Sequence, residues 1–277
     1  MPGSSSNTER AGRLTRWLVT APPTAFLIVF FLLPALIMAA ASFREPGEFG
    51  GLAPLAAGGM NLDAYRFIVD DPIYAWILAK SFAVAGLTTL ICLLLAYPLA
   101  MRIVRSPRRR RDLLVLLVIL PFASNFLIRI YAWMIILGPL GLLYSPVAVL
   151  AGMVYVHLPF MILPLYTNLE KHDPALLEAA QDLGAGRWAR FWRVTWPLSL
   201  PGVLSGSALV FIPVLGMFAV PELLGGTGDL LIGNLIKEQF LDNRDWPLGA
   251  ALSLVLTAAV LAVAGLSAAL TSNRGQA

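Results

Sequence analysis

The fold class predicted by this sequence is an all-α integral membrane protein with six transmembrane helices. Of 277 residues, 58% fall in the hydrophobic set and 13% are charged, whereas soluble chains carry about a quarter. The mean hydropathy is +0.76. Six apolar runs, 25–43, 77–101, 113–137, 147–165, 200–220 and 248–270, match the roughly 20 residues that cross a bilayer. Hydrocarbon offers the backbone no water, so each run is expected to be helical.

The first run follows Arg10, Arg13 and Arg16, and Ala39-Ala40-Ala41 resembles a signal-peptidase site. The run is longer than a signal core and carries Pro34 late, so it reads as a retained helix. Lys and Arg set the orientation. If the N-terminus is cytoplasmic, the inner segments hold those three arginines and Arg102, Arg105, Arg108, Arg109, Arg110 and Arg111. They also hold Lys171, Arg187, Arg190, Arg193 and Arg274, against Arg44, Arg66, Lys237 and Arg244 outside. Both termini are therefore expected in the cytoplasm. The resulting organisation is a tail over 1–21, a first helix and external loop over 22–76, a core domain over 77–270 and a tail over 271–277.

Little points to catalysis or metal. Cys92 is the single cysteine and lies in an apolar run, which excludes an internal disulfide and a Cys-based metal site. His157 and His172 lack ligand neighbours at metal spacing. The pI near 9.5 does not imply nucleic acid, because the bases cluster at the ends of apolar runs. A secondary transporter driven by ions would want inverted repeats and mid-membrane carboxylates, and neither is visible. An intramembrane enzyme would need a nucleophile and base in one site.

Three connections are long enough to be functional: 44–76 and 221–247 outside, and 168–197 inside. In the inner loop, Asp173-Pro174 reads as an N-cap followed by a first-turn proline. A short helix follows to Leu183, and Gly184 ends it in the left-handed conformation. Gly186 adds freedom. A second short helix is expected over Arg187 to Arg193, with Pro197 and Pro201 at the entry to the fifth span. Trp188, Phe191, Trp192 and Trp196 crowd this loop beside three arginines. Such a surface either lies on lipid headgroups or docks into a groove on a cytoplasmic partner.

Glu178-Ala179-Ala180, three residues, Gly184, nine residues and Val194-Thr195-Trp196-Pro197 resemble the EAA motif of ABC importer permeases, with Val194 and Trp196 in place of the usual Ile and Leu. The resemblance implies the type I ABC importer transmembrane fold. It also implies that this loop is the coupling helix seated in a cleft of an ATPase dimer. Glu178, Ala179, Ala180 and Gly184 carry over as the motif core, and Ala185, Gly186, Arg187 and Trp188 as the docking surface that follows. No G-x-x-x-x-G-K-[ST] phosphate loop occurs. This chain is therefore expected to be no enzyme and to hold no cofactor, with ATP-Mg on the partner ATPase. The further expected partners are a second homologous permease or a second copy, an extracytoplasmic solute-binding protein and membrane lipid.

Within that superfamily, several stretches resemble spermidine/putrescine permeases. They include Leu127-Ile128-Arg129-Ile130-Tyr131, Pro221-Glu222-Leu223-Leu224-Gly225-Gly226 and Asn243-Arg244-Asp245-Trp246-Pro247. One departure is the short connection 138–146. The resemblance implies import of a polyamine across the bacterial inner membrane, with a permease for iron, sulfate or another small solute as the alternative. Outer loops with ten acids against four bases agree, although the positive-inside rule depletes outer bases for any cargo. Carboxylates and aromatic faces suit a polyamine, which makes Glu222, Asp229, Tyr131, Trp133 and Phe218 the pathway candidates. Glu222 leads them, with an ordinary interfacial carboxylate as its alternative role.

Arg129 would sit about 24 Å along the third helix at 1.5 Å per residue, on one face with Asn125 and a turn above Pro121. A structural or gating ion pair is expected for it, to Glu222 or a partner permease, with snorkelling as the alternative. Lys80 is expected to snorkel. Leu230, Leu231, Leu235, Ile236 and Phe240 are spaced as a partly re-entrant amphipathic helix.

Overall fold

The computed structural model describes residues 20–54 and 60–272 and places helix on the apolar runs. In chain order these are α1 (Thr20–Ser42), α2 (Asp63–Asp70), α3 (Pro72–Val104), α4 (Arg108–Ile119), α5 (Phe126–Leu137) and α6 (Pro146–Glu170). Then come α7 (Pro174–Asp182), α8 (Arg187–Gly216), α9 (Ala219–Leu224), α10 (Ile232–Leu241) and α11 (Trp246–Ser272). The only β feature among the described residues is an isolated bridge, Pro46 to Leu52. Arg10, Arg13, Arg16 and Arg274, which carry part of the orientation argument, lie outside the described residues.

Five helices are long and apolar enough to span alone: α1, α3, α6, α8 and α11. The sixth span corrects the sequence reading. The run 113–137 is not one helix, because α4 passes through a 3-10 turn (Leu120–Ala123) and α5 leaves at 93° to it. Local chemistry explains the break. Pro121 supplies no amide, Ser124 and Asn125 turn extended with ψ of 150° and 139°, and Asn125 Oδ1 accepts the Leu127 amide at 2.8 Å. Asn125 is thus the N-cap of α5. The 24 Å depth for Arg129 and its place on one straight helix with Asn125 and Pro121 fall with the bend.

The fifth span departs in a different way. The second short helix expected in the inner loop is instead the first turns of α8, continuous from Arg187. The far end stops at Gly216, where Met217 turns extended at ψ 123°, so Val220 belongs to α9. Two π-helical turns, Ile28–Leu32 and Phe191–Thr195, each end two residues before a proline, Pro34 and Pro197. A proline ring clashes with the carbonyl four residues back. The wider turn moves that carbonyl away, and the Leu33 and Trp196 amides reach five residues back, to Ile28 and Phe191.

The chain divides into two units, Asp71–Lys237 and the described parts of Met1–Asp70 with Glu238–Ala277. In the first, α6 is the central helix, packed on α3 and α8. Ala85, Cys92, Met153, Met161, Leu165 and Val210 are buried between them. Close approach depends on small residues. A Cβ on Gly202 would lie 2.7 Å from Asn168 Cβ, and one on Gly206 would lie 2.8 Å from Met161 Sδ. Leu87, Leu90 and Leu94 on α3 face outward, an apolar surface suited to lipid.

In the second unit, α11 packs on α1 and α2. Ser42 Oγ lies 2.8 Å from the Tyr65 hydroxyl, and the Arg44 guanidinium donates to the Ala53 carbonyl. A concavity of about 520 Å³ lies there, lined by Arg44, Glu45, Asp63, Phe67 and Asp245 among others.

Candidate functional site

Two places in the Asp71–Lys237 unit carry the residues singled out by sequence. The first is the α7–α8 turn. Asp173 Oδ1 accepts the Ala175 amide at 2.9 Å and Pro174 opens the helix, so α7 starts where the sequence predicts. It also ends as predicted, because Gly184 has φ of +80°. The Ala185 amide reaches the Ala180 carbonyl at 3.0 Å and the Gly184 amide reaches Gln181 at 2.8 Å. These are the paired bonds of a Schellman cap. They put Ala180 and Gly184 of the motif core into one closed turn.

Glu178, Ala179, Gly184, Gly186, Arg187 and Trp188 are exposed, and Ala180 and Ala185 are half-buried. Leu183 is 88% exposed and Trp188 74% exposed. The Arg190 guanidinium donates to Gln181 Oε1 at 2.6 Å and ties α7 to the foot of α8.

Below the turn the aromatics form one cluster. Phe191 contacts Trp188 (6.0 Å between centroids), Trp192 (5.2 Å) and Tyr97 (5.6 Å). Trp196 contacts Tyr97 at 5.6 Å, and the Tyr97 hydroxyl lies 2.9 Å from Ser199 Oγ. Tyr97, absent from the sequence-based candidates, connects the loop to α3. Its signal was faint: one tyrosine in an apolar run, a hundred residues from its partners. Two further links hold this end. Arg111 pairs with Glu170 at 2.7 Å, and His172 Nε2 lies 3.1 Å from the Leu198 carbonyl. The other histidine, His157, is buried with Nδ1 2.8 Å from the Met153 carbonyl.

The second place is the lobe 217–234. Glu222 and Asp229 come together on a concavity of about 240 Å³ that Asn234 also lines. Glu222 Oε1 accepts from Lys237 Nζ at 2.8 Å, so Lys237 and not Arg129 is its ion-pair partner. Asp229 Oδ2 accepts the Gly226 amide at 3.0 Å, and Oδ1 lies 3.8 Å from Lys80 Nζ. Lys80 also donates to the Gly228 carbonyl, so it folds onto the lobe where snorkelling was expected. Phe218 is the N-cap of α9, its carbonyl held by Asn234 Nδ2 at 2.9 Å.

The remaining candidates lie elsewhere. Trp133 packs edge-on against Tyr155 at 5.6 Å, and Tyr131 is exposed on α5; neither lines the concavity. Arg129 Cζ lies 6.0 Å from the Phe126 ring centroid, and its Nε and Nη1 are buried with no hydrogen-bond partner. A helix, α10, does form over the stretch read as amphipathic, with Ile232 and Leu235 buried, Leu231 buried just ahead of it, and the Ile232 amide donating to Ser81 Oγ at 2.8 Å. Glycines seat the lobe. A Cβ on Gly152 would meet Leu224 Cδ1 at 2.5 Å, and one on Gly233 would meet the Gly216 carbonyl oxygen at 2.8 Å.

Comparison with known proteins follows this architecture. A family model described as "Binding-protein-dependent transport system inner membrane component" matches residues 11–273. The chain belongs to this family. It is a multi-pass inner membrane transport component. The spermidine/putrescine transport system permease protein of Haemophilus influenzae is 41% identical over 256 residues, 84% of this chain and 86% of that relative. Its Escherichia coli counterpart is 41% identical over 251 residues, 84% and 89% of the two chains. The molybdenum transport system permease protein of Mycobacterium bovis is 32% identical over 235 residues, 78% and 88%. Among solved structures, a bacterial ABC transporter involved in import of the acidic polysaccharide alginate superposes with a TM-score of 0.68 at 18% identity. The match covers 97% of this chain and 98% of that one. The inner membrane component fold is thus shared well beyond recognisable sequence.

Proposed function

We propose that this chain is the permease subunit of an ATP-driven importer that carries a polyamine of the putrescine/spermidine type inward across the bacterial cytoplasmic membrane. The observation that carries the proposal is the 41% identity, over 84% of the chain, to permeases named for spermidine and putrescine. The lobe agrees in chemistry, since carboxylates at a concavity suit primary ammonium groups. The membrane potential favours inward movement of such cargo by about 2.3 kcal/mol per charge per 100 mV.

In this reading the 168–197 turn faces the cytoplasm, where positive-inside bias puts it. Exposed Leu183 and Trp188 enter a cleft on an ATPase that binds ATP-Mg. The Schellman turn, tied to α8 through Arg190 and Gln181, transmits the ATPase movement to a helix that reaches Gly216. A homologous permease, or a second copy, completes the pathway, and an extracytoplasmic binding protein delivers cargo to it. The test is uptake of labelled putrescine by vesicles holding the assembled transporter. Saturable, ATP-dependent uptake that excess spermidine suppresses is expected. No uptake of putrescine, together with uptake of sulfate or iron, would replace the polyamine by the alternative cargo.

A further inference from the structure

Both carboxylates of the 217–234 lobe are already occupied by a primary ammonium group of the chain itself. Lys237 Nζ lies 2.8 Å from Glu222 Oε1, and Lys80 Nζ lies 3.8 Å from Asp229 Oδ1. An alkylammonium on a carbon chain is also what each end of putrescine presents. The two lysines therefore show, in place, the ligand class that these carboxylates accept. Neither pair is sealed. The side chains of Lys237 and Glu222 are 25% and 43% exposed, and those of Lys80 and Asp229 are 26% and 13% exposed. The concavity that joins the carboxylates, about 240 Å³, is also lined by Asn234, whose Oδ1 has no hydrogen-bond partner. The site thus combines two anionic acceptors and room beside them.

We infer that Lys237 and Lys80 are tethered competitors of the cargo, and that a polyamine binds this lobe by displacing their ammonium groups from Glu222 and Asp229. The inference rests on the polyamine reading and deepens it by assigning the site. Exchange of one ammonium for another conserves charge at each carboxylate, so no anion is left bare in either state. A displaced lysine remains charged and returns when cargo leaves, which keeps binding weak enough for release. The two positions differ. Glu222, beside Lys237, is 43% exposed, whereas Asp229, beside Lys80, is 13% exposed. The Glu222 position is therefore the more open to cargo.

The test is equilibrium binding of labelled putrescine to the complete transporter in nanodiscs, without soluble binding protein, beside uptake in vesicles. Exposed ion pairs are weak, so loss of the Lys237 competitor should tighten binding roughly two- to six-fold. Lys237→Gln is therefore expected to lower Kd by that factor, and Glu222→Gln to raise it. The double variant is expected to match Glu222→Gln, because a competitor has nothing to compete for once its carboxylate is gone. Unchanged or weaker binding by Lys237→Gln would overturn the inference. So would tightening that persists in the double variant. Lys237→Arg, which keeps the charge but not the ammonium, guards against a fold effect and should leave Kd within two-fold of the native complex. Uptake separates the two levels: a native complex that imports no putrescine overturns the polyamine reading itself. Import with lysine-independent binding overturns only the exchange.

Discussion

The two ends of the Asp71–Lys237 unit have opposite character. At the α7–α8 end, backbone turns are closed but side chains are left outward, with Leu183 and Trp188 exposed over an aromatic cluster. At the α9–α10 end, the charged side chains paired on the concavity lie within the chain, and glycines bring backbones together. A surface that must meet another protein keeps its apolar groups available. A surface that must admit and release charged cargo keeps its charges balanced. In the proposed function the first end is completed by an ATPase, whereas the second already pairs its charges within the chain.

Three substitutions sharpen this contrast. The largest effect is expected for Gly233→Val. Its Cβ would meet the Gly216 carbonyl oxygen and carbon at 2.8 and 2.9 Å and the Met217 oxygen at 2.9 Å. Backbone cannot give way as a side chain can, so about 3 kcal/mol is expected to be lost. The check is the yield and melting temperature of the purified complex; a variant as stable as the native protein would show that this end is looser than its packing.

Gly184→Val should behave differently. Nothing lies within 4 Å of a Cβ there, but φ is +80°. The cost is about 1–2 kcal/mol of left-handed strain, borne by the turn alone. Insertion and complex assembly should remain normal while ATP-driven uptake falls about tenfold. Gly184→Asn, which tolerates that conformation, should keep most uptake. Equal loss in both variants would point to the glycine's size and not to its backbone freedom.

The smallest effect is expected for Tyr97→Phe. It removes the 2.9 Å contact to Ser199 and keeps the ring in the cluster. About 1 kcal/mol is expected, read as a fall of a few degrees in melting temperature with uptake intact. A large loss of uptake with unchanged stability would make the hydroxyl part of the coupling path.

The α7 turn was legible because its determinants are local. Asp173, Pro174 and Gly184 act on backbone groups within a few residues, and spacing alone displays them. The bent third span was less legible, although Pro121, Ser124 and Asn125 stood in plain view. Hydropathy sums over such a break, and only the observed ψ angles show that the run turns by 93°. The partners of Glu222 and Arg129 were not legible. Glu222 has several cations within reach on paper, and the helix that brings Lys237 to it had to fold back first. For Arg129 the described residues offer the Phe126 ring, and Glu222, one of the two expected partners, is paired with Lys237 instead.

By itself the sequence determined the membrane class, the number of apolar runs, the caps of α7 and the family, because apolar length, capping residues and motif spacing act along the chain. The tertiary structure alone decided the 93° turn at Asn125, the passage of the loop into α8, and which lysine sits on which carboxylate. The turn and the helix passage rest on local residues whose angles hydropathy does not display, whereas the lysine pairings depend on contacts between residues apart in sequence. Local chemistry leaves such pairings open, and packing allows only one.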